Sequence, residues 1–236
     1  MANVYVGGKR KKRGKIWIIL IIVIAALVAI FGIMFYNYNQ IVNSPIVTAN
    51  KLTYTVSYDD SLYFIRVLND SRKVMIVKIE EGTTFPGTYY TLNSNILEKT
   101  SNDFLDLFEL KSDANFYFYL NNSVAHELSS QLNGISSEGI DGLIDSLKNS
   151  EVTIWNFFRL SSYLEIIKNY DRSTNLNEDA LYALINGFSK FSITNYDKLT
   201  VPLMTKQPLQ INIGPQTVER KYADLEVLER MKQVVE

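Results

Sequence analysis

The sequence predicts an α/β fold: a layered α-β-α domain around a central mixed sheet, preceded by one transmembrane helix. Three observations point there. Ile16–Phe35 (IWIILIIVIAALVAIFGIMF) holds no charged or strongly polar residue. Two later runs, LYFIRVL at 62–68 and VMIVKI at 74–79, are apolar on both faces, as strands are when helices cover both sides of a sheet. The second half of the chain carries apolar residues at helical spacing, for example Leu181, Leu184, Ile185 and Phe188.

At 1.5 Å rise per residue, a run of about 20 residues spans roughly 30 Å, the hydrocarbon core of a bilayer. Lys9, Arg10, Lys11, Lys12, Arg13 and Lys15 precede the run, whereas Tyr36–Thr55 carries only Lys51. Positive charge stays on the cytoplasmic side, so the chain is read as N-in and C-out. A cleaved signal peptide would have a shorter apolar region followed by a small-x-small site. Ala25, Ala26 and Ala29 lie mid-run instead, which favours an uncleaved anchor. The segments are then a basic cytoplasmic stretch at 1–15, the membrane helix at 16–35, a tether at 36–51 and an extracytoplasmic domain at 52–236.

Charge and composition exclude several functions. Of 24 Lys/Arg, the six beside the apolar run leave 18 against 25 Asp/Glu, a net −7 for the rest. Such a domain repels nucleic acid, and the basic cluster reads as a topology signal that also attracts anionic headgroups. Without cysteine there is no disulfide, thiolate nucleophile or Cys-metal site. The sole histidine, His126, reads as structural or surface, and one His without Cys makes a zinc site implausible. Neither a P-loop nor a G-x-G-x-x-G is present.

In order along the domain, Leu52–Tyr58 alternates as a strand. Leu62–Leu68 and Val74–Ile79 follow, joined by a hairpin at Asn69–Arg72. A short helix is expected over Asp103–Lys111 and a strand over Phe116–Leu120. Helices follow at Val124–Asn133 (with Gly134 as its C-terminal stop), Ile140–Lys148 and Thr153–Asn169. Another is capped by Asn177, with Glu178 and Asp179 in its first turn. Strands at Tyr196–Met204 and Gln210–Ile213 lead to a last helix carrying Val227, Leu228, Met231 and Val235.

Two arginines stand in apolar surroundings: Arg66 within strand 62–68, and Arg159 within WNFFRLSSYLEII. A guanidinium is not buried alone, so each implies an internal ion pair, escape to the surface, or a phosphate clamp.

The order of motifs resembles the LytR-CpsA-Psr family, which carries R-S-D-T, a strand, a hairpin, a second strand and I-P-R-D-T. Here the corresponding stretch reads Y-D-D-S at Tyr58–Ser61, strand 62–68, hairpin 69–72, strand 74–79 and I-E-E-G-T at Ile79–Thr83. The family's D-F-G-R-x-x-R-Q is matched by N-F-F-R-L-S-S-Y at Asn156–Tyr163. FYFYLNNSVAHELSSQLNGI and TNLNEDALYALI resemble further family segments, so the similarity covers about residues 52–235.

The resemblance implies an outer domain that binds a polyprenyl (pyro)phosphate lipid and, in the family, transfers its glycan to cell-wall polymer. It carries over Asp60 and Arg159 as catalytic positions facing each other at the head of an apolar interior. Arg66 is a candidate ligand-binding residue. Three family arginines are replaced, by Tyr58, Glu81 and Ser162, and the G-x-D-x-R loop with its magnesium-binding carboxylate is missing. Asp59 is no substitute, since neighbouring side chains of an extended chain point to opposite sides. The expectation is therefore a membrane-anchored cell-envelope protein that binds a polyprenyl-phosphate lipid or an envelope partner, with little catalysis. Its partners are membrane lipid and a polyprenyl-linked glycan or envelope protein, with no nucleic acid. No metal or other cofactor is expected, Mg2+ entering only in the alternative of an active transferase. A further alternative is an unrelated anchored structural module.

Overall fold

The computed structural model describes residues 13–133, 138–194 and 199–235, with side chains from Trp17 onward. The chain divides into two units, Met1–Gln40 and Ile41–Glu236. The first holds most of helix α1 (Arg13–Val42), long and apolar enough over Trp17–Val42 to cross a membrane. The side chains of the basic cluster at 9–15 lie outside the described residues. Residues 36–42 of the expected tether are helical, so only 43–50 connect α1 to the first strand.

In the second unit a five-stranded sheet has the order β6-β1-β2-β3-β7. Its members are β1 (Lys51–Tyr58), β2 (Ser61–Leu68), β3 (Lys73–Glu80), β6 (Ala114–Leu120) and β7 (Ser192–Ile193). The sheet is mixed, as expected: β1, β2 and β3 are antiparallel neighbours, while β6 and β7 run parallel to β1 and β3. The runs 62–68 and 74–79 are central because almost every residue in them is buried. The β1–β2 turn is Asp59–Asp60. Asp59 has φ 49°, a left-handed conformation that aspartate tolerates better than most residues. The expected hairpin at Asn69–Arg72 joins β2 to β3.

One face of this sheet packs against α2 (Leu97–Leu107) and α7 (Leu225–Val235), burying Leu62, Phe64, Phe104, Phe108, Leu228 and Met231 together. The other face is covered by α3 (Asn122–Asn133), α4 (Gly139–Lys148), α5 (Leu160–Tyr170) and α6 (Glu178–Lys190). Asn177 caps α6 as predicted, its side chain accepting from the Ala180 N–H at 2.8 Å.

Four expectations need correction. Helix α2 starts at Leu97 rather than Asp103 and ends at Leu107, because its buried stripe includes the polar Thr100 and Ser101. The helix expected from Thr153 starts only at Leu160, after a 3-10 turn over Phe157–Arg159. No strand covers the described part of 196–204, where Thr200 and Leu203 form isolated bridges and 195–198 lies outside the described residues. A second sheet, β5-β4-β9-β8, was not expected. It comprises β4 (Thr83–Thr84), β5 (Thr91–Leu92), β8 (Leu209–Ile213) and β9 (Gln216–Tyr222). The predicted stop at Gly134 lies outside the described residues.

Candidate functional site

Strand alternation sends Val56, Ile65, Phe118 and Leu120 toward α3–α6. Helix α4 offers Ile140, Leu143, Ile144 and Leu147 in return, and α6 offers Leu181, Leu184 and Ile185. These side chains do not close on one another. They line a narrow, partly open slot with a cavity volume of about 40 Å³. Every lining side chain is aliphatic or aromatic, and the Tyr163 hydroxyl is engaged, donating to the Gln131 carbonyl at 3.2 Å. Water entering such a space finds no polar partner, whereas an apolar chain loses nothing by entering.

One end of the slot lies under a polar cluster. Tyr58 closes β1, and its hydroxyl donates to Asn122 Oδ1 at 3.3 Å. The Gly139 N–H donates to the same oxygen at 2.9 Å. Gly139 has φ 73°, and a Cβ there would meet the Tyr58 hydroxyl at 3.5 Å. Burial raises the Tyr58 pKa above its usual value, and the carboxylates of Asp59 and Asp141 push it further the same way. A hollow beside this cluster is lined by Asn122, Ser123, His126 and Glu138. His126 is exposed there, as a surface histidine. The charge at this end is mostly negative: Asp59, Asp60, Glu138 and Asp141 are all exposed. Lys78 supplies a cation, its Nζ 5.6 Å from the Tyr63 ring centre, and Tyr63 meets Tyr58 edge-on.

Asp60 and Arg159 both stand exposed on the surface. Asp60 is exposed in the β1–β2 turn, where its backbone carbonyl accepts from the Glu81 N–H at 2.9 Å. Arg159 is exposed at the end of the 3-10 turn, so burial does not oblige it to find an anion. Among the described residues no ion pair joins the two. Nor does any group of three or more His, Cys, Asp or Glu there have a metal-holding arrangement.

Arg66 is 1% exposed, on the face away from the slot. It pairs with no carboxylate among the described residues, and it does not escape to the surface. Its guanidinium donates to Thr53 Oγ1 at 3.3 Å and to the Lys111 carbonyl at 3.0 Å, leaving Nε without a partner. Burial lowers its pKa. Glu81, standing where the resembled family has an arginine, serves as a cap: its carboxylate accepts from the Ser94 N–H at 3.1 Å and the Ser94 hydroxyl at 2.5 Å.

No protein-family model matches the sequence. No curated protein is significantly similar to it. Solved structures are similar in fold. The Lin1025 protein from Listeria innocua superposes with a TM-score of 0.51 at 10% identity, over 79% of this chain and 97% of that one. The domain has a LytR-CpsA-Psr-like fold. Bacillus subtilis TagV matches with a TM-score of 0.47 at 10% identity, over 79% of this chain and 95% of TagV. The LytR-CPS2A-psr family protein YwtF (TagT), solved with octaprenyl pyrophosphate lipid bound, matches with a TM-score of 0.44 at 10% identity, over 78% and 88% of the two chains. At such identities the LytR-CpsA-Psr likeness is one of fold, and the chemistry has to be argued from this chain's own residues.

The slot was only indirectly legible in the sequence. Each helix shows an apolar stripe, but a stripe does not say whether its partner fills the space opposite. The Tyr58–Asn122–Gly139 cluster was missed altogether. Its one sequence signal is the run Leu120–Asn121–Asn122, where a strand passes directly into a helix.

Proposed function

We propose that this chain is a divergent member of the LytR-CpsA-Psr family: a single-pass membrane protein, N-terminus in the cytoplasm, whose outer domain binds the apolar tail of a polyprenyl-type lipid in the slot and transfers little or nothing. The slot's wholly apolar lining carries the reading. Because the slot is narrow, α3–α6 must part to admit a long chain.

The polar end of the slot argues against phosphotransfer. A pyrophosphate site offsets developing negative charge with cations and metal. Here a tyrosine replaces one arginine, Glu81 replaces another and is spent capping residue 94, and this end exposes the carboxylates of Asp59, Asp60, Glu138 and Asp141. Losing about three cationic contacts forfeits several kcal/mol of stabilisation. A weakly charged or neutral head is the better fit, and binding or scaffolding at the cell envelope the better role.

Mass spectrometry of lipid retained by the detergent-purified full chain tests this. We expect an isoprenoid lipid in near-stoichiometric amount, and its loss in Ile144→Trp at unchanged circular dichroism. Retention of bulk phospholipid alone, identical in both proteins, would sink the binding proposal. The proposed inactivity predicts no transfer of a polyprenyl-pyrophosphate glycan in magnesium buffer; turnover abolished by Asp60→Ala would overturn it.

A further inference from the structure

The two ends of the five-stranded sheet differ in charge and in surface chemistry. At one end stand the β1–β2 turn and the first residues of α3 and α4, with Asp59, Asp60, Glu138 and Asp141. At the other end the chain arrives from α1. There the Asn69 side chain holds the Val47 carbonyl at 3.2 Å, and Asp113 accepts from the N–H groups of Asn50 and Lys51, both at 2.9 Å.

The turn between α4 and α5 belongs to this second end. Glu151 is ion-paired with Lys190 at 3.6 Å, and α6 passes from Lys190 directly into β7, which pairs with Lys73 beside the β2–β3 hairpin. The turn itself is tight: the Asn156 and Phe157 N–H groups both donate to the Thr153 carbonyl, at 3.2 and 3.0 Å. It holds out two large side chains, Trp155 at 63% exposure and Phe158 at 57%, followed by the exposed Arg159. Arg72 (over the Phe191 ring at 5.8 Å), Lys73 and Lys190 add positive charge. Of the acids at this end, Asp113 caps backbone, Glu151 and Glu109 are paired with Lys190 and Lys232, Asp70 accepts from the Ser71 N–H, and Asp106 stands exposed beside Lys111.

We infer that the Trp155–Arg159 turn is a second membrane contact, docking this end of the domain onto the headgroup region of the leaflet from which α1 emerges. The occupant is the lipid surface, for three reasons. Tryptophan and phenylalanine beside arginine suit the interface between hydrocarbon and water, where an amphipathic ring or a snorkelling guanidinium gains on both sides. Reach permits it. The apolar run ends at Phe35, and seven more helical residues rise about 10 Å, just past one headgroup layer of about 5–8 Å; only residues 43–50 then remain before β1. The charge asymmetry favours this orientation, since an anionic leaflet attracts the basic end and repels the acidic one, by about fivefold in partitioning per basic residue near the surface. The inference rests on α1 being a membrane anchor and is independent of what the slot binds.

The test uses the full chain in vesicles of phosphatidylcholine and phosphatidylglycerol. Trp17→Phe leaves Trp155 as the only tryptophan. We expect blue-shifted Trp155 emission, quenching by lipids spin-labelled near the headgroup, and shielding from aqueous iodide. Phe158→Ser with Arg159→Glu should remove at least about half of the lipid quenching, given the loss of one apolar anchor and reversal of one charge. Water-like emission, quenched by iodide and untouched by labelled lipid, would overturn the inference. Blue-shifted emission without lipid quenching would also overturn it and assign the turn to a protein contact instead.

Discussion

On the α2 side of the five-stranded sheet, Phe64 stacks on Phe104 with ring centres 3.9 Å apart, and Phe104 in turn meets Phe108. On the α6 side, Val56 and Ile65 of neighbouring strands look into the unfilled slot. Both faces are apolar and both are covered by helices, yet on the second the side chains leave a cavity of about 40 Å³ between sheet and helices. The difference teaches a division of labour. The filled face, which also swallows a guanidinium, stores the stability that lets the opposite face remain under-packed.

The sharpest way to break this comparison is to empty the filled face. Phe104→Ala should cost about 3–5 kcal/mol, because the stacked ring leaves a cavity between strand and helix. Leu143→Ala, beside the existing slot, should cost clearly less. Urea unfolding of both variants in micelles, followed by circular dichroism, compares them; equal losses would mean that the slot is as tightly packed as the core.

A smaller effect of opposite sign is expected at Arg66. Its charge is buried among Thr53, the Lys111 carbonyl and apolar neighbours, and no carboxylate among the described residues is paired with it. Replacing an uncompensated buried polar group by an apolar one of similar length relieves desolvation, so Arg66→Met should stabilise by about 1–3 kcal/mol. A destabilised variant with reduced lipid retention would reinstate Arg66 as a ligand residue.

The smallest effect lies beside the slot, where the Tyr54 hydroxyl donates to the Ala180 carbonyl at 2.8 Å. Burial raises its pKa well above 10.0. The unfolded chain therefore loses this proton first. The stability Tyr54 contributes is intact below pH about 10 and falls as pH rises through its folded-state pKa. Tyr54→Phe should flatten that alkaline slope, at a cost of about 0.5–1.5 kcal/mol near neutral pH. An unchanged slope would place the alkaline weakness elsewhere.

The central sheet was legible because 62–68 and 74–79 are apolar at nearly every position, a pattern with few structural solutions. The second sheet was not. Two of its strands are two residues long, too short to show a period, and β9 (QTVERKY) spends most of its length on polar residues. Helix α2 began late in the sequence reading because Thr100 and Ser101, both buried, read as surface. Ser101 is buried because its hydroxyl bridges Thr55 and Asn115, a long-range arrangement that no local pattern announces. Arg66 stands out in the sequence as a cation in an apolar strand, but it lies on the face away from the slot and its partners are a strand hydroxyl and a loop carbonyl rather than an anion. The pairing of Asp60 with Arg159 assumed that both lay on one pocket wall. A 3-10 turn in place of the first helical turn instead leaves Arg159 on the surface.

Gly187 fixes one wall of the slot. A Cβ there would sit 2.8 Å from Val67 Cγ1, so α6 rests with its backbone directly on the sheet. Tyr54 ties the same helix down near its start. Helix α6 is thus the fixed jaw of a clamp. Helix α4 rests mainly on α3 and α6, with its first residues hooked to Asn122 by a hydrogen bond from Gly139. On the proposed function, the α3–α4 pair is therefore the wall that has to yield to a lipid tail, and the hydrogen bond from the Tyr58 hydroxyl to Asn122 is the tie from that pair to the sheet.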